Sequence, residues 1–460
     1  MKDLRGKKVL ILGAARQGLA LARFLLSQGA QVILNDRLDE SQMETARQSM
    51  NDFNVCWALG GHPIELLDGV DMVCLSGGVP NDLPIINEAR RRCLPLSNDT
   101  QIFMEIVPCP VVGITGSAGK TTTTTLVGRI AQAGCKLPTK VWVGGNIGLP
   151  LVDQIQQISK HDLVILEISS FQLELMTISP QVGAILNITP NHLDRHNTLE
   201  AYAETKARLI DFQSKQDRAV LGRDDPGSWN LASRVSGNLI SFGLTRPSNH
   251  QTGTFLSNDR LFLQDGNRQI EIMKKDVIQL RGQHNLVNVL AACAIAHAAG
   301  IPTNVMTEGV ARFTGVPHRL EYIRQLNGSK WYNDSIATAP ERTIAAIRAF
   351  EEPIVLLLGG RDKKLPWQDL ADLIHQRVDH VIVFGEAASK ILNAIGDLRS
   401  GSRPYTIDHC LHLSDAVTLA AGNSEPGDVV LLAPGGTSFD EFHDFEERGE
   451  RFREWVKQLS

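Results

Sequence analysis

The stretch Gly113-Ile114-Thr115-Gly116-Ser117-Ala118-Gly119-Lys120-Thr121 follows the apolar pair Val111-Val112 and opens a helix-like run. Its glycines let backbone N–H groups approach phosphate oxygens, and Lys120 supplies a positive charge for the β and γ phosphates. The hydroxyl of Thr121 can reach Mg²⁺. The stretch therefore predicts a loop that binds ATP.

The spacing of this loop departs from the usual one, because Ile114 stands where the longer motif has a glycine. The alternative interpretation is an ordinary glycine turn that caps a helix. The glycine, lysine and threonine at 119–121 all fall where a phosphate needs them, which favours phosphate binding.

Composition narrows the class of protein. The chain has 460 residues, enough for about three domains, and a formal net charge of -5. Lysine and arginine are scattered, so we expect no nucleic-acid partner. The seven cysteines form no CxxC pair, which indicates neither a zinc site nor a disulfide framework. No apolar run approaches a membrane span, and we expect a cytoplasmic protein that acts as a monomer without membrane insertion.

Three series of apolar runs alternate with helical patterns, as in parallel sheets with crossover helices. We predict an α/β fold with a Rossmann-like N-terminal domain (1–99), a central phosphate-loop domain with a parallel sheet (100–315) and a Rossmann-like C-terminal domain (316–460). The polar stretch 217–282 predicts antiparallel strands. The predicted strands are Val9–Leu12, Val32–Leu34, Val70–Leu75, Leu163–Ile168, Val182–Ile188, Ile354–Leu358, Val381–Phe384 and Val429–Leu432.

The loop from Gly13 to Gly18 lies between a predicted strand and helix, and Asp36 ends the next strand. It resembles a dinucleotide fingerprint in which Ala15 replaces the middle glycine, and the added methyl obstructs a pyrophosphate. Three interpretations stay open: a dinucleotide, a nucleotide bound in another way, and tight packing of a helix on a strand.

Two side chains that can bind a metal follow the ends of successive predicted strands. Glu167 ends one strand, and His192 follows the next. Either alone is explained by a solvated strand end or by a hydrogen-bonded loop histidine. The pair beside a phosphate loop favours Mg²⁺.

Nine motifs together resemble the Mur ligase family, and most closely its members that add D-glutamate. They cover nearly the whole chain: GITGSAGKT (113–121), GGNIG (144–148), LEISSFQLE (166–174), NHLDRH (191–196), GQHNLVN (282–288), GVPHRLE (315–321), YNDSIAT (332–338), LGGRDKK (358–364) and APGGTSFDEFHDFEERG (433–449). The resemblance implies an ATP-dependent ligase of peptidoglycan precursor synthesis. It would join D-glutamate to UDP-N-acetylmuramoyl-L-alanine through an acyl phosphate. Its cofactor would be Mg²⁺, bound as two ions.

The resemblance also implies the roles of individual residues. Those expected to contact the UDP substrate are Gly13, Ala15, Gly18, Asp36, Arg37, Ser76, Gly78, Asn146, Ser169 and Gln172. Those expected at ATP are Gly116, Ser117, Ala118, Gly119, Lys120, Thr121, Thr122, Asn285, Asn288, Arg319 and Asp334. Those expected at glutamate are Thr338, Lys363, Ser438 and Phe445. Those expected to be catalytic are Lys120, Glu167, His192 and Lys206, and those expected at the metal are Thr121, Glu167, His192 and Lys206.

Lys206 matches a lysine that is carbamylated in many ligases of this family. A carbamate is an anion that can support a second Mg²⁺, but CO₂ reacts only with a neutral amine, so the site must lower the lysine pKa. Without the resemblance, the pattern around Lys206 indicates a surface helix lysine.

Structural alternatives exist for the other implied roles. Asn285 could cap a helix, and Arg319 with Asp334 could form a salt bridge between domains. Ser438 could cap a helix from Asp440, and Lys363 could be solvated.

Three residues depart from the family pattern. Ala118 replaces an asparagine and Gly77 a proline, and both leave backbone N–H contacts open. Ile336 replaces a lysine, which removes a cation that a carboxylate or acyl phosphate would use, and Arg342 or Lys364 could substitute for it.

The sequence also allows alternative functions to be compared with this ligase. A ligase for L-glutamate or another acid uses the same motifs, whereas a folate polyglutamylating enzyme lacks the N-terminal domain. A non-catalytic nucleotide-dependent switch leaves Glu167 and Lys206 without a purpose. An NAD-linked dehydrogenase would rest on the Gly13 loop alone.

Overall fold

A computed structural model describes residues 4–135, 138–148, 150–190, 193–196, 198–363, 365–398 and 401–459. The chain divides into two compact units: Met1–Gln279 with Gln283–Phe313, and Leu280–Gly282 with Thr314–Ser460. Three sheets rich in parallel strands confirm the predicted α/β class. In the described ranges, every helix is too short or too polar to cross a membrane.

The first sheet has five parallel strands, and most apolar residues of its three central strands are buried, as in a sheet covered by helices. Its strands are β1 (Lys8–Leu12), β2 (Gln31–Asp36), β3 (Cys56–Leu59), β4 (Met72–Leu75) and β5 (Leu96–Ser97), and its helices are α1 (Arg16–Ser27), α2 (Glu44–Gln48), α3 (Pro84–Arg91) and α4 (Asp99–Ile106). The spatial order is β3-β2-β1-β4-β5. The predicted strands of this region are confirmed.

The second sheet has nine strands and belongs to the same unit. Its strands are β6 (Val111–Thr115), β7 (Val141–Gly145), β8 (Leu163–Glu167), β9 (Val182–Ile185), β10 (Arg218–Gly222), β11 (Asn238–Phe242), β12 (Thr252–Ser257), β13 (Arg260–Asp265) and β14 (Arg268–Lys274). Its helices are α5 (Lys120–Gly134), α6 (Ser170–Leu173), α7 (Leu193–His196), α8 (Leu199–Asp211), α9 (Pro226–Trp229), α10 (Gln283–Ala298) and α11 (Met306–Val310). The spatial order is β14-β13-β12-β11-β10-β9-β6-β8-β7.

The prediction of antiparallel strands throughout 217–282 is wrong for its first half. Strands β10, β11 and β12 pair in parallel, and only the pairs β12–β13 and β13–β14 are antiparallel. Short helices at Pro226–Trp229 and Asn230–Arg234 connect β10 to β11. Because these connections are polar and short, the sequence hides the crossover that a parallel pair requires.

The third sheet has six strands and lies in the second unit. Its strands are β15 (Glu321–Leu326), β16 (Ser329–Asn333), β17 (Ile354–Gly359), β18 (His380–Phe384), β19 (Thr406–His409) and β20 (Val429–Gly435), and its helices are α12 (Pro340–Ile347), α13 (Gln368–Arg377), α14 (Ala388–Ile395), α15 (Leu413–Asn423) and α16 (Phe445–Gln458). The order is β15-β16-β20-β17-β18-β19, and only β15 and β16 pair antiparallel.

The predicted residues collect at the carboxyl ends of parallel strands, where α/β sheets bind ligands. In the second sheet, the phosphate loop follows β6 and Glu167 ends β8. In the third sheet, the loops that follow β16, β17 and β20 carry the residues expected at glutamate.

Candidate functional site

The phosphate loop joins β6 to α5, as its sequence predicts. Gly119 has φ +80°, a left-handed conformation that favours glycine. A Cβ at Gly119 would also lie 2.3 Å from the side-chain oxygen of Asn288. The Lys120 ammonium donates to the carbonyl of Gly116 at 2.8 Å. The loop therefore has the backbone geometry of a phosphate cradle, with its cation already over it.

Asn187, which the sequence did not single out, holds the loop in shape. Its side-chain oxygen accepts from the Ala118 N–H at 2.8 Å, and its amide donates to the Ala118 carbonyl at 3.1 Å. The Ser117 N–H donates to the Asn187 carbonyl at 2.9 Å. The expectation that the Ala118 N–H is open for ATP is thus corrected, because Asn187 already uses this donor.

Glu167 is not a solvated strand end, because its side chain is 2 % exposed. One carboxylate oxygen accepts from the Asn146 amide at 2.9 Å. The other, Oε2, is buried without a hydrogen-bond partner among the described residues. A buried acceptor with no donor is costly unless a ligand satisfies it. Asn146 thus orients Glu167 and leaves one oxygen for a cation.

Lys206 is not a surface lysine, because only 1 % of it is exposed. Its ammonium nitrogen lies 3.3 Å from the Thr115 hydroxyl and 4.5 Å from the centre of the Tyr202 ring. Burial lowers the pKa of the Lys206 amine well below its usual value, and the charge of Lys120 acts in the same direction. The site therefore favours the neutral amine that CO₂ requires.

The residues around this loop fit a magnesium ion. Mg²⁺ prefers oxygen ligands and often takes only one or two carboxylates besides phosphates. The orphaned oxygen of Glu167 is such a ligand, and the half-buried Thr121 stands at the start of α5. Within the described residues, no three His, Cys, Asp or Glu side chains come together as a metal cluster. His192 lies outside the described residues.

The loop from Gly13 to Gly18 packs tightly against its own strand. A Cβ at Gly18 would lie 1.9 Å from the Gly13 carbonyl, which favours the packing interpretation. Ala15 is exposed and stands directly before α1. The Asp36 carboxylate accepts from the Ala14 N–H at 2.8 Å, and Arg37 is exposed beside it.

The loop after β4 and the short helix α6 face each other within the first unit. Ser169 caps α6, and its N–H donates to the Gln172 side-chain oxygen at 3.0 Å. The Gln172 amide nitrogen is buried without a partner among the described residues. Ser76 lines the same small cavity as Gln172, and Gly78 faces open space. The expected UDP-substrate residues Ser76 and Gln172 therefore lie together, with one amide donor unused.

Arg195 completes this cavity, although the sequence analysis did not assign it a role. Its guanidinium lies 4.0 Å from the centre of the Phe171 ring and 3.3 Å from a Glu174 oxygen. It also donates to the Gly77 carbonyl at 3.5 Å, and its Nε is buried without a hydrogen-bond partner in the described part of the chain. The only signal in the sequence was its place in the motif at 191–196.

Asn285 and Asn288 open α10 beside the phosphate loop. The Asn288 amide donates to the Asn285 side-chain oxygen at 3.1 Å, and Asn288 is buried against Gly119. Both residues therefore lie beside the phosphate loop within the first unit.

In the second unit, Asp334 follows β16 and is buried. Burial raises the pKa of Asp334 to about 6, opposed by a hydrogen bond from the Leu320 N–H and by the charges of Arg319 and Arg342. Arg319 belongs to this same unit. The two residues expected at ATP are thus electrostatically linked.

Three loops of the second unit converge on the residues expected at glutamate. The Lys363 ammonium donates to the Thr338 hydroxyl at 3.2 Å, which joins the loops after β17 and β16. Backbone bonds between Arg361 and Thr437, 2.8 and 2.9 Å long, join the loops after β17 and β20. Partial burial of the amine, and then the charge of Arg342, lower the pKa of Lys363.

Ser438 and Phe445 lie in the third of these loops. Ser438 is buried, but the expectation that it caps a helix from Asp440 is wrong, because α16 begins at Phe445. Asp444 caps α16 by accepting from the Glu447 N–H at 2.8 Å. The Phe445 carbonyl accepts from the Ser335 hydroxyl at 2.8 Å.

Comparisons with known proteins follow the same division. Family models match three segments: "Mur ligase MurD-like, N-terminal domain" at 7–97, "Mur ligase middle domain" at 114–296, and "Mur ligase, glutamate ligase domain" at 318–436. The chain is 38% identical over 454 residues to the UDP-N-acetylmuramoylalanine--D-glutamate ligase of Symbiobacterium thermophilum, covering 99% of this chain and 98% of that one. It is 39% identical to the enzyme of the same name from Koribacter versatilis, covering 100% and 99%.

Solved structures support the fold. UDP-N-acetylmuramate-alanine ligase MurC from Thermotoga maritima aligns with a TM-score of 0.56 at 18% identity, covering 98% of this chain and 99% of that chain. MurF ligase from the same organism, in complex with ADP, aligns with a TM-score of 0.53 at 18% identity, covering 100% and 99%.

Proposed function

Because this chain belongs to the Mur ligase family, we propose that it joins D-glutamate to UDP-N-acetylmuramoyl-L-alanine with hydrolysis of ATP, a step of peptidoglycan precursor synthesis. The relatives of that name match this chain over nearly its full length. The observation that carries the proposal is one cluster around the phosphate loop. It combines a placed cation at Lys120, a half-satisfied carboxylate at Glu167 and a buried amine at Lys206.

The proposed reaction has two transfers. A carboxylate oxygen of the alanyl group attacks the γ-phosphorus of ATP, ADP leaves, and an acyl phosphate forms. The glutamate amine then attacks the acyl carbon, phosphate leaves, and the nitrogen gives up a proton. No covalent bond to the protein is needed, so the chain acts by positioning the reactants and by neutralising charge.

The site residues have the following parts in this scheme. Lys120 neutralises phosphate charge, and Asn146 orients Glu167. Mg²⁺, when bound, neutralises phosphate oxygens; Thr121 and Glu167 would hold it, and His192 stays a predicted ligand. Lys206, as a carbamate, would support a second ion. Gln172, which lines the same small cavity as Ser76, would contact the UDP substrate.

A phosphate-release assay tests the reaction. The full chain is incubated with Mg²⁺ and ATP, with or without UDP-N-acetylmuramoyl-L-alanine, and with D-glutamate or L-glutamate. Release that requires both the UDP acid and D-glutamate is expected. Release that is indifferent to both would instead indicate a nucleotide-dependent switch, and turnover with L-glutamate alone would reassign the amino acid.

The carbamate on Lys206 has its own test. Native mass spectrometry with added CO₂ is expected to show one extra carbamate in the wild type and in Lys215→Ala, an exposed lysine control, but none in Lys206→Ala. Lys206→Ala should also lose phosphate release. Full activity of Lys206→Ala would refute the role.

We also propose domain boundaries near residues 99 and 315. The gaps between the matched family segments, from 97 to 114 and from 296 to 318, contain both positions.

A further inference from the structure

Arg342 is an exposed cation at the start of α12. Within the described residues, its guanidinium forms no hydrogen bond and no ion pair. The residue after it, Thr343, is buried and donates its hydroxyl to the Ala433 carbonyl at 3.0 Å. The first turn of α12 is therefore fixed to the end of β20, while Arg342 projects from it without a structural partner.

Arg342 stands four residues after Thr338, in the first turn of α12. After burial, its charge contributes to the lowered pKa of Lys363, and it acts against the rise in the pKa of Asp334 that burial causes. Thr338, which stands two residues before α12, accepts from the Lys363 ammonium at 3.2 Å. Because Thr343 fixes the first turn of α12 to the end of β20, Arg342 lies on the same rim of the sheet as Thr338 and Lys363.

An acidic amino acid brings two negatively charged carboxylates to this rim, and the single ammonium of Lys363 does not balance both charges. The half-buried Ile336, in the same loop as Thr338, adds no charge. A second cation is needed, because carboxylates are bound most strongly by charge-assisted hydrogen bonds.

The other described cations of these loops are already engaged. Arg448 is fully buried and donates to the carbonyls of Ser335 and Gly436 at 2.8 to 3.2 Å. Arg361 forms a two-pronged pair with Glu386 at 2.8 and 3.0 Å. Elimination leaves Arg342 beside Lys363, while Lys364 lies outside the described residues.

We propose that Arg342 is a specificity-determining residue that, together with Lys363, binds one carboxylate of the incoming acidic amino acid. This inference rests on the proposed ligase function. A guanidinium can hold a carboxylate with two parallel hydrogen bonds, which also fixes the orientation of the amino acid. Ser438 and the backbone near Phe445 are left for the second carboxylate.

The test compares four forms of the full chain in the phosphate-release assay: the wild type, Arg342→Ala, Arg342→Lys and Arg348→Ala. Arg348 is the matched control, because it is an exposed arginine that directly follows the last residue of α12. D-glutamate is varied at saturating ATP and UDP-N-acetylmuramoyl-L-alanine.

In Arg342→Ala, the KM for D-glutamate is expected to rise about 10- to 100-fold, as the loss of a charged hydrogen bond implies. The KM values for ATP and for the UDP acid should stay within about twofold of the wild type, since the variant removes amino-acid binding only. Arg342→Lys should recover part of the loss, and Arg348→Ala should match the wild type.

An unchanged KM for D-glutamate in Arg342→Ala would overturn the inference, as would an equal rise in Arg348→Ala or equal KM values for the alanine and lysine variants. A rise in Lys364→Ala with none in Arg342→Ala would move the role to Lys364. Wild-type protein that releases no phosphate with D-glutamate would instead refute the proposed function, so the two failures are distinguishable.

Discussion

Asp99, the first residue of α4, offers a quantitative test of the electrostatics of the first unit. The side chain is buried, and one of its oxygens has no hydrogen-bond partner among the described residues. Burial raises the pKa of Asp99 from 3.8 to about 6, although hydrogen bonds from Thr100 act against this rise. We predict that Asp99→Asn stabilises the first unit above pH 7.

The magnitude follows from the two pKa values. Each unit of pKa difference between folded and unfolded states is worth about 1.4 kcal/mol. A rise from 3.8 to about 6 therefore costs the wild type about 3 kcal/mol once the group is ionised in both states. The folded state holds the proton more tightly, so this stability is present below pH 3.8 and is lost as the pH rises through 6. At pH 5 the wild type has regained about half of the 3 kcal/mol.

The assay is urea denaturation at pH 8 and at pH 5. Relative to the wild type, the advantage of Asp99→Asn should be larger at pH 8 by about 1.5 kcal/mol. Glu105→Gln is the control, because Glu105 is an exposed carboxylate on the same helix and such surface changes stay within about 0.5 kcal/mol. If the difference between Asp99→Asn and the wild type is the same at both pH values, the assignment of a buried, raised pKa is wrong.

Two further predictions concern the binding loops. Asn146→Ala removes the amide that donates a hydrogen bond to Glu167 at 2.9 Å. Because a hydrogen bond to a charged group is lost, the KM for MgATP should rise or kcat should fall by about 10- to 100-fold. Phosphate-release kinetics that match the wild type would contradict this. Gly18→Ala places a Cβ 1.9 Å from the Gly13 carbonyl and should destabilise the fold by more than about 2 kcal/mol. Gly78→Ala is the control, because a Cβ at Gly78 meets open space. Equal thermal midpoints for the two variants would contradict the packing argument.

The sequence predicted the features that depend on local chemistry. The phosphate loop was predictable because its glycines, Lys120 and Thr121 lie within a few residues of one another. The start of α16 was missed, although a local signal existed in Asp444 and the acidic residues after it. The sequence from Asp440 onward also fits a helix, but the Asp444 cap sets the first residue of α16 at Phe445.

Features that depend on distant contacts were not predictable. The pattern around Lys206 shows a lysine on a helix, and only the fold places that helix over Thr115. Asn187 is likewise an ordinary polar residue after a strand until the phosphate loop folds onto it. In both cases the hydrogen-bond partner is more than 60 residues away in the chain, so no local pattern encodes the contact.

Eight buried side-chain atoms of the first unit have no hydrogen-bond partner in the described part of the chain, and three of them are Glu167 Oε2, Gln172 Nε2 and Arg195 Nε. Leaving such a group unsatisfied costs about 1 to 3 kcal/mol, more if it is charged. Glu167 ends the strand beside the phosphate loop, and Gln172 and Arg195 line one small cavity. The cost is understandable if each atom is satisfied by ligand: Glu167 by a cation, and Gln172 and the loop around Arg195 by the UDP substrate. The other five atoms belong to residues without an expected role, so the unsatisfied atoms support the site only together with the motifs.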